Sequence, residues 1–173
     1  MSLTIYRSIV PTYLQILGAL DKLVDKAEAH CKENNLAKEE LLQAALAPDM
    51  FNFCQQIHQA LSHSARAIKC TQEGLFAPDI SPAPEDFDGL RSAIQAAISE
   101  LQALDENSLE SLAGKAMRFE FAEYKMSFVA EEFLLTFSQP NFFFHATTAY
   151  DILRSKGVAL TKGDYMGALR LAG

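Results

Sequence analysis

Apolar residues recur every three or four positions over residues 4–35, and this spacing constrains the fold more than any other feature of the chain. Such a period is typical of an amphipathic α-helix, whose apolar side must be covered by other parts of the protein. Pro11 lies inside the stripe, and because proline lacks a backbone N–H we expect a kink or a late helix start there. The stripe consists of Ile5, Ile9, Tyr13, Ile16, Leu20, Val24, Ala27 and Cys31.

Three later segments carry similar stripes and are predicted to be helices. We expect Asp49 to cap the first of them, and Gly74 to end it. Four amphipathic helices can cover one another's apolar sides, so the sequence predicts an all-α fold, an up-and-down four-helix bundle. No domain boundary is visible, and residues 1–173 are predicted to form a single domain. The three later segments are residues 50–72, 86–104 and 140–155.

The connections between these helices carry signals of their own. Residues 76–85 contain three prolines, which predict an extended, irregular crossing. Residues 117–121 alternate apolar and charged side chains, and with residues 125–129 they are predicted to form a small β-hairpin before the last helix. Residues 130–138 are expected to form a short lead-in helix, which Pro140 breaks so that the last long helix begins there. The tail beyond it is expected to be irregular.

Composition excludes several classes of function. The 173 residues carry a net charge of -7, which opposes binding to nucleic acids and to anionic membranes. Three cysteines occur without a Cys-x-x-Cys pair, which argues against a disulfide framework and a thiolate zinc site. No basic and apolar leader opens the chain, and no apolar run is long enough to span a bilayer, so we expect a cytoplasmic protein. Phosphate-binding loops and common hydrolase motifs are missing as well.

Histidines are the remaining candidates for chemistry. His145 lies in the most apolar stretch of the chain, and Asn141 is four residues earlier, hence on the same face of a helix. His58 lies at the edge of the apolar stripe of the second helix, so the three side chains would converge if the two helices are neighbours. The alternative is that they are hydrogen-bonded polar groups that fix helix register, and this reading is favoured. His63 follows His58 by five residues and is expected to face solvent, while His30 needs no role beyond opposing the helix dipole.

Five phenylalanines surround the candidate histidine near the end of the chain. They could line a ligand pocket, but core packing is the more frequent use of such residues and is favoured here. The residues are Phe133, Phe137, Phe142, Phe143 and Phe144.

Three stretches resemble a bacterial family of domains of unknown function. Residues 46–51, followed by Gln56, resemble one end of that family, and residues 157–158 and 162–167 resemble its closing motif. Residues 140–154, which begin Pro-Asn-Phe-Phe-Phe-His, resemble its most distinctive segment, with the pattern Pro-Asn-Phe-x-Phe-His. That family is similar to the DinB-like superfamily of four-helix bundles, some of which are metal-dependent thiol transferases or maleylpyruvate-isomerase-type enzymes.

The resemblance also implies a place for a metal. DinB-like metal sites take one histidine from the second long helix and a His-x-x-x-His pair from the last helix. His58 and His145 match two of these positions, and Asn141 stands where the family has the third histidine. An amide oxygen is a weak ligand for zinc or nickel, so we expect a degenerate site without a tightly bound metal.

Three functions remain open at this point. The favoured one is a module that binds a small molecule or a partner in the former metal cleft. The alternative is a metal-dependent transferase of the DinB-like thiol-transferase type, which leaves open whether the protein is an enzyme. The third is a purely structural role, and for any of these functions a homodimer is expected.

Overall fold

The computed structural model describes residues 3–171, and most of these residues are helical. Two π-helical turns, Ser62–Arg66 and Phe133–Ser138, join α3 to α4 and α7 to α8 without a break. Within residues 3–171 no helix has both the length and the apolar character that a membrane crossing requires. The helices are α1 (Ile5–Asn34), α2 (Glu39–Leu42), α3 (Phe53–Leu61), α4 (Ala67–Glu73), α5 (Phe87–Gln102), α6 (Glu106–Glu110), α7 (Ala130–Glu132), α8 (Gln139–Ser155) and α9 (Lys162–Met166).

Four long helical segments pack around a shared apolar core. They are α1, α3 with α4, α5, and α7 with α8. Helix α1 contacts α5 and α8, while α3 contacts the same two helices from the other side. Tyr13, Phe53, Phe133 and Phe142 are among the largest side chains that this arrangement buries completely. The prediction of a mainly helical fold is therefore confirmed, and the periodic apolar stripes are what this core buries.

The ends of the first two segments differ in part from the predictions. Helix α1 begins at Ile5 and continues through Pro11, so a late start is wrong. Buried residues on both sides of the proline hold this part of the helix in place. Helix α3 is capped by Asn52 and not by Asp49, because the Asn52 and Gln55 side chains each accept a hydrogen bond from the other's backbone N–H. Gly74 ends α4 in the left-handed conformation, as predicted.

The last segment is continuous from Ala130 to Ser155, so the predicted break at Pro140 is wrong. A proline inside an α-helix lacks one hydrogen bond and its ring crowds the carbonyl four residues earlier. Here the wide π-helical turn Phe133–Ser138 directly precedes Pro140 and relieves that crowding. The Asn141 side chain also donates a hydrogen bond of 2.7 Å to the Phe137 carbonyl oxygen. The helix therefore passes the proline without ending.

A three-stranded sheet lies beside the helices and corrects the prediction of an all-α fold with only a hairpin. Strands β2 (Ala116–Phe121) and β3 (Tyr124–Val129) pair antiparallel at the two predicted positions. Strand β1 (Leu75–Phe76) pairs parallel with β2, with Phe76 opposite Phe119. Strand β1 is not predicted from the sequence, because two residues are too short to show alternation. Its buried Phe76 packs on Phe133 at 5.4 Å between ring centroids, which joins the sheet to the helical core.

The tail, predicted to be irregular, contains α9 and is attached to α1. Thr161 and Asp164 form a capping box at the start of α9. Lys26 forms an ion pair of 2.6 Å with Asp164, and the Gln15 side-chain amide donates to the Met166 carbonyl oxygen at 2.7 Å. These contacts fix the tail against the outer surface of the first helix.

Substitution of Gly167 by alanine should loosen this attachment. Gly167 has a φ of 62°, and an added Cβ would lie 3.1 Å from the Gln15 carbonyl oxygen and 3.2 Å from the Ala19 Cβ. We expect Gly167→Ala to lower the free energy of unfolding by about 2 kcal/mol, measured by urea denaturation. Gly114→Ala is the matched control, because its φ is 74° but an added Cβ meets open space. Equal losses in the two variants would contradict the role given to the tail contact.

Candidate functional site

A cavity of about 530 Å³ lies between α3, the proline-rich crossing, strand β2 and the last helical segment. This volume is within the range of roughly 300–1,000 Å³ that is usual for small-molecule sites. Part of its wall is aromatic, and the rings are those of Phe51, Phe119, Phe121 and Phe137. Residues 78–83 of the crossing also line it. The polar side chains of the wall are Gln55, His58, Gln59, His63, Asp79, Ser81 and Asn141. The cavity therefore combines apolar surface with a few convergent polar groups.

A second cavity, of about 660 Å³, is larger but less suited to a specific ligand. It lies near the end of α1 and the start of α5, away from the histidines of the other cavity. Lys32, Lys38 and Glu28 are among its lining residues, and Lys32 and Glu28 already form an ion pair with each other. It is also the more open of the two. We therefore place the candidate site at the aromatic cavity.

Asp79 is the carboxylate of the aromatic cavity. It accepts hydrogen bonds from the Ser81 backbone at 3.0 Å and the Ser81 hydroxyl at 2.7 Å, both at Oδ1. Its other oxygen, Oδ2, lies 3.4 Å from the Nε2 of His58. Burial acts to raise the pKa of Asp79, but the Ser81 hydrogen bonds and the electrostatic effects of the nearby His58 and Arg66 side chains outweigh it, so the pKa is lowered. Asp79 is therefore ionised at neutral pH.

His58 lies on α3 beside this carboxylate. Its Nε2 is buried and has no hydrogen-bond partner among the described residues, although Asp79 is near. The neighbouring Gln59 is committed elsewhere, since its side-chain amide donates to the Asp79 backbone oxygen at 3.1 Å. The buried Nε2 therefore lies beside the Asp79 carboxylate without a hydrogen bond of good geometry.

His145 is held by a buried glutamine. The Gln56 Nε2 donates to the Phe51 carbonyl oxygen at 3.1 Å, so its Oε1 is the atom that lies 2.7 Å from the His145 Nδ1. Since Oε1 can only accept a hydrogen bond, the hydrogen-bond network places the ring proton of the neutral His145 on Nδ1. Burial lowers the pKa of His145 to about 4, which keeps the ring neutral at ordinary pH.

His63 is buried, so the prediction that it faces solvent is wrong. The π-helical turn Ser62–Arg66 is wider than an α-helical turn and buries four consecutive residues, Ser62, His63, Ser64 and Ala65. The Ser138 hydroxyl donates to the His63 backbone oxygen at 2.9 Å, and the His63 Nδ1 lies 3.4 Å from that hydroxyl. Burial, followed by the charges of His145 and Arg66, lowers the pKa of His63 to about 3.

The predicted site residues are only partly brought together. His58 and Asn141 line the same cavity, and the helices that carry His58 and His145 pack against each other. His145 lies behind the cavity wall, where its ring stacks on His63 with 6.0 Å between centroids. His63 is thus the imidazole of this site that is not predicted from the sequence. Its predicted exposure to solvent rests on the period of a regular α-helix, which the π-helical turn does not follow. No sequence signal for the π-helical turn was found.

Two of the imidazoles near the cavity are poorly oriented to share one metal ion. The His63 and His145 rings are stacked with an angle of 16° between their planes. Since a nitrogen lone pair lies in the plane of its ring, two stacked rings do not aim both lone pairs at one ion about 2.0–2.1 Å away. The Asn141 amide nitrogen donates to the Phe137 carbonyl oxygen, which leaves the amide oxygen, a weak ligand, as the atom that could bind a metal. Within residues 3–171 no group of three or more His, Cys, Asp or Glu side chains is arranged to hold a metal.

The cysteines add no reactive group to the site. Cys31, Cys54 and Cys70 are all free and buried. Burial, with a smaller effect of Glu85 and Asp86, raises the pKa of Cys54 to about 12, and burial also raises the pKa of Cys31 and Cys70. The thiols are therefore protonated at neutral pH and pack as small apolar side chains.

Comparisons with known proteins place this geometry in a family context. The family model described as "Domain of unknown function (DUF1993)" matches residues 5–166. No curated protein sequence matches the chain significantly. The fold is similar to the crystal structure of a DinB family member protein from Shewanella denitrificans, with a TM-score of 0.83 and 28% sequence identity. That alignment covers 97% of this chain and 94% of the other.

Proposed function

The chain belongs to the DUF1993 family, a DinB-like domain of unknown function, and we propose that it binds a small organic molecule in the aromatic cavity. The observation that supports this function is the cavity itself, where four phenylalanines and seven polar side chains are among the residues that line about 530 Å³. Binding pockets for small molecules are typically apolar with a few polar groups that orient the ligand. His58 and Asn141, two of the residues predicted from the sequence, are proposed as such orienting groups.

His145 has a supporting role in this proposal. It does not line the cavity, but its ring stacks on His63, which does. The Gln56 hydrogen bond fixes the His145 ring, and the Ser138 hydroxyl fixes His63. The inner wall of the cavity therefore has a fixed shape before any ligand arrives. A preformed wall lowers the conformational cost of binding.

The finer architecture belongs to this proposal as well. We take the four long segments to form the up-and-down four-helix bundle expected from the sequence. Their pairwise packing, in which α1 and α3 each contact α5 and α8, supports this arrangement. In such bundles ligand sites are built from side chains on facing helices, as here by α3 and the segment that ends in α8.

Binding should depend on the aromatic wall. Phe121 is half exposed at the cavity mouth, so Phe121→Ala removes a wall ring with little cost to the core. We expect a mixed set of aromatic fragments, screened by ligand-observed NMR, to include compounds that bind, and their affinity to fall about two- to tenfold in this variant.

Tyr124→Ala is the matched control for that experiment. Tyr124 is also an exposed aromatic residue of the sheet, 70% exposed, but it does not line the cavity. Its loss should leave fragment affinity unchanged. If no fragment of any charge binds the unmodified protein, or if both variants weaken binding equally, the proposed function is wrong.

A further inference from the structure

The polar groups of the aromatic cavity have an uneven balance of hydrogen-bond donors and acceptors. The Gln59 side-chain nitrogen donates to the Asp79 backbone oxygen, and the Asn141 side-chain nitrogen donates to the Phe137 carbonyl oxygen. Each amide has therefore used a donor within the protein, while its oxygen forms no hydrogen bond among the described residues. Asp79 adds a carboxylate oxygen, Oδ2, that accepts no hydrogen bond of good geometry. Three acceptors are thus available to a ligand.

The charged side chains of the cavity are also unevenly balanced. Among the described residues that line it there is one carboxylate, Asp79, and no lysine or arginine. Arg66 lies beyond Asp79 in a neighbouring groove, where its guanidinium group packs over the Phe76 ring at 4.9 Å. It forms no ion pair with Asp79 within the described part of the chain. With the histidines counted as neutral, the formal charge of the described lining residues is therefore negative.

The aromatic wall also favours a cation. The face of a phenylalanine ring carries negative electrostatic potential and attracts ammonium groups within about 6 Å of its centre. Phe119 and Phe137 pack against each other at 4.9 Å between centroids and line the cavity together with Phe51 and Phe121. An anionic ligand would meet these ring faces and the Asp79 carboxylate, and no lysine or arginine among the described lining residues balances them.

From these three observations, and resting on the proposed function of the cavity, we propose that its ligand is an amine: a small molecule with a protonated amino group and an apolar, preferably aromatic, body. The ammonium group donates to Asp79 Oδ2 and to the side-chain oxygens of Gln59 and Asn141. The apolar body packs on the phenylalanine rings. His58, whose Nε2 lies 3.4 Å from the same Asp79 oxygen, is the protein group that the ammonium displaces from the carboxylate.

The test compares three probes of similar size that differ in charge. They are 2-phenylethylammonium, the neutral 2-phenylethanol and the anionic 3-phenylpropionate, each titrated into the full chain at neutral pH and followed by protein NMR. We expect the ammonium to bind at least about tenfold more tightly than the alcohol, and the carboxylate to bind most weakly.

Asp79→Asn is the matching variant. Asparagine keeps an oxygen that can accept the Ser81 hydrogen bonds, so the loop should fold, but the charge is lost. The preference for the ammonium over the alcohol should then fall to about twofold or less. Asp88→Asn is the control, because Asp88 is an exposed carboxylate on α5 outside the cavity, and it should leave the preference unchanged.

The outcomes separate this inference from the proposed function. If the alcohol binds as well as the ammonium at the cavity, the choice of an amine is overturned while ligand binding stands. If Asp79→Asn keeps the full preference for the ammonium, Asp79 is not the recognising group and the inference is again wrong. If none of the three probes binds, the amine inference is overturned, and the wider fragment screen then decides whether the cavity binds ligands at all.

Discussion

Lowering the pH from 7 to about 4.5 should destabilise the folded protein by about 5 kcal/mol, through the buried imidazoles of His63 and His145. Both rings are less than a tenth exposed, and burial lowers their pKa values to about 3 and about 4. In the unfolded chain the same rings take up a proton near pH 6.5. The loss is large beside the roughly 5–15 kcal/mol that stabilises a typical domain.

The sign follows from where the protons bind. Above about pH 6.5 both rings are neutral in both states, so their contribution to stability is fully present. As the pH falls below that value, these histidines bind protons in the unfolded chain but not in the folded protein. Each histidine then removes about 1.4 kcal/mol per pH unit, until the pH reaches its pKa in the folded state.

His145→Gln separates this effect from general acid denaturation. A glutamine side chain can donate to the Gln56 oxygen in place of the imidazole, but it does not titrate. Urea denaturation at several pH values should show that about half of the pH-dependent loss disappears in this variant. His30→Gln is the comparison, since His30 lies near the end of α1 outside the stacked pair. A reduction of the same size in both variants would contradict the assignment to the buried pair.

Replacement of Phe142 by alanine should be the most destabilising single change in the aromatic stretch of the last helix. The ring is completely buried and packs on Tyr13 at 4.4 Å and on Phe143 at 5.4 Å between centroids. Its removal leaves a cavity at the contact of α8 with α1, and such truncations cost about 3–5 kcal/mol. Chemical denaturation of the variant measures the loss directly.

Phe144→Ala provides the contrast within the same three-residue run. Phe144 is 56% exposed, so its truncation should cost less than about 1 kcal/mol. Similar losses of unfolding free energy in the two variants would contradict the burial of Phe142 and the exposure of Phe144. Phe137 differs from both, because it lines the aromatic cavity. The five phenylalanines thus do not share one role: Phe133 and Phe142 pack in the core, while Phe137 lines the cavity.

Periodic burial was predictable from the sequence, and departures from regular geometry were not. The stripes that predicted the helices are produced by a core that repeats with the α-helical period, so their positions agree with α1, α5 and most of α3 with α4. The π-helical turns change this period over a few residues without changing composition. That is why His63 was assigned to the surface and why the last helix was expected to begin at Pro140.

Only some residues of the candidate site could be predicted from the sequence, and their arrangement could not. His58 and Asn141 were singled out for their positions on helices, and both line the cavity. Asp79 was not predicted, because it lies in the irregular crossing, where no periodicity relates it to a helix face. The predicted homodimer and the cytoplasmic location stay predictions.

The parallel pairing of β1 with β2 has a consequence for the order of folding. Leu75 and Phe76 pair with Arg118 and Phe119, and the chain between them includes all of α5 and α6. Closing such a long loop costs entropy before the strands gain any contact, so this pairing should form late, after the helices have docked. Phe119 and Phe121 lie on the paired strand β2 and line the aromatic cavity. Partly folded chains would then have helices but no complete cavity, and a bound ligand would distinguish fully folded molecules from them.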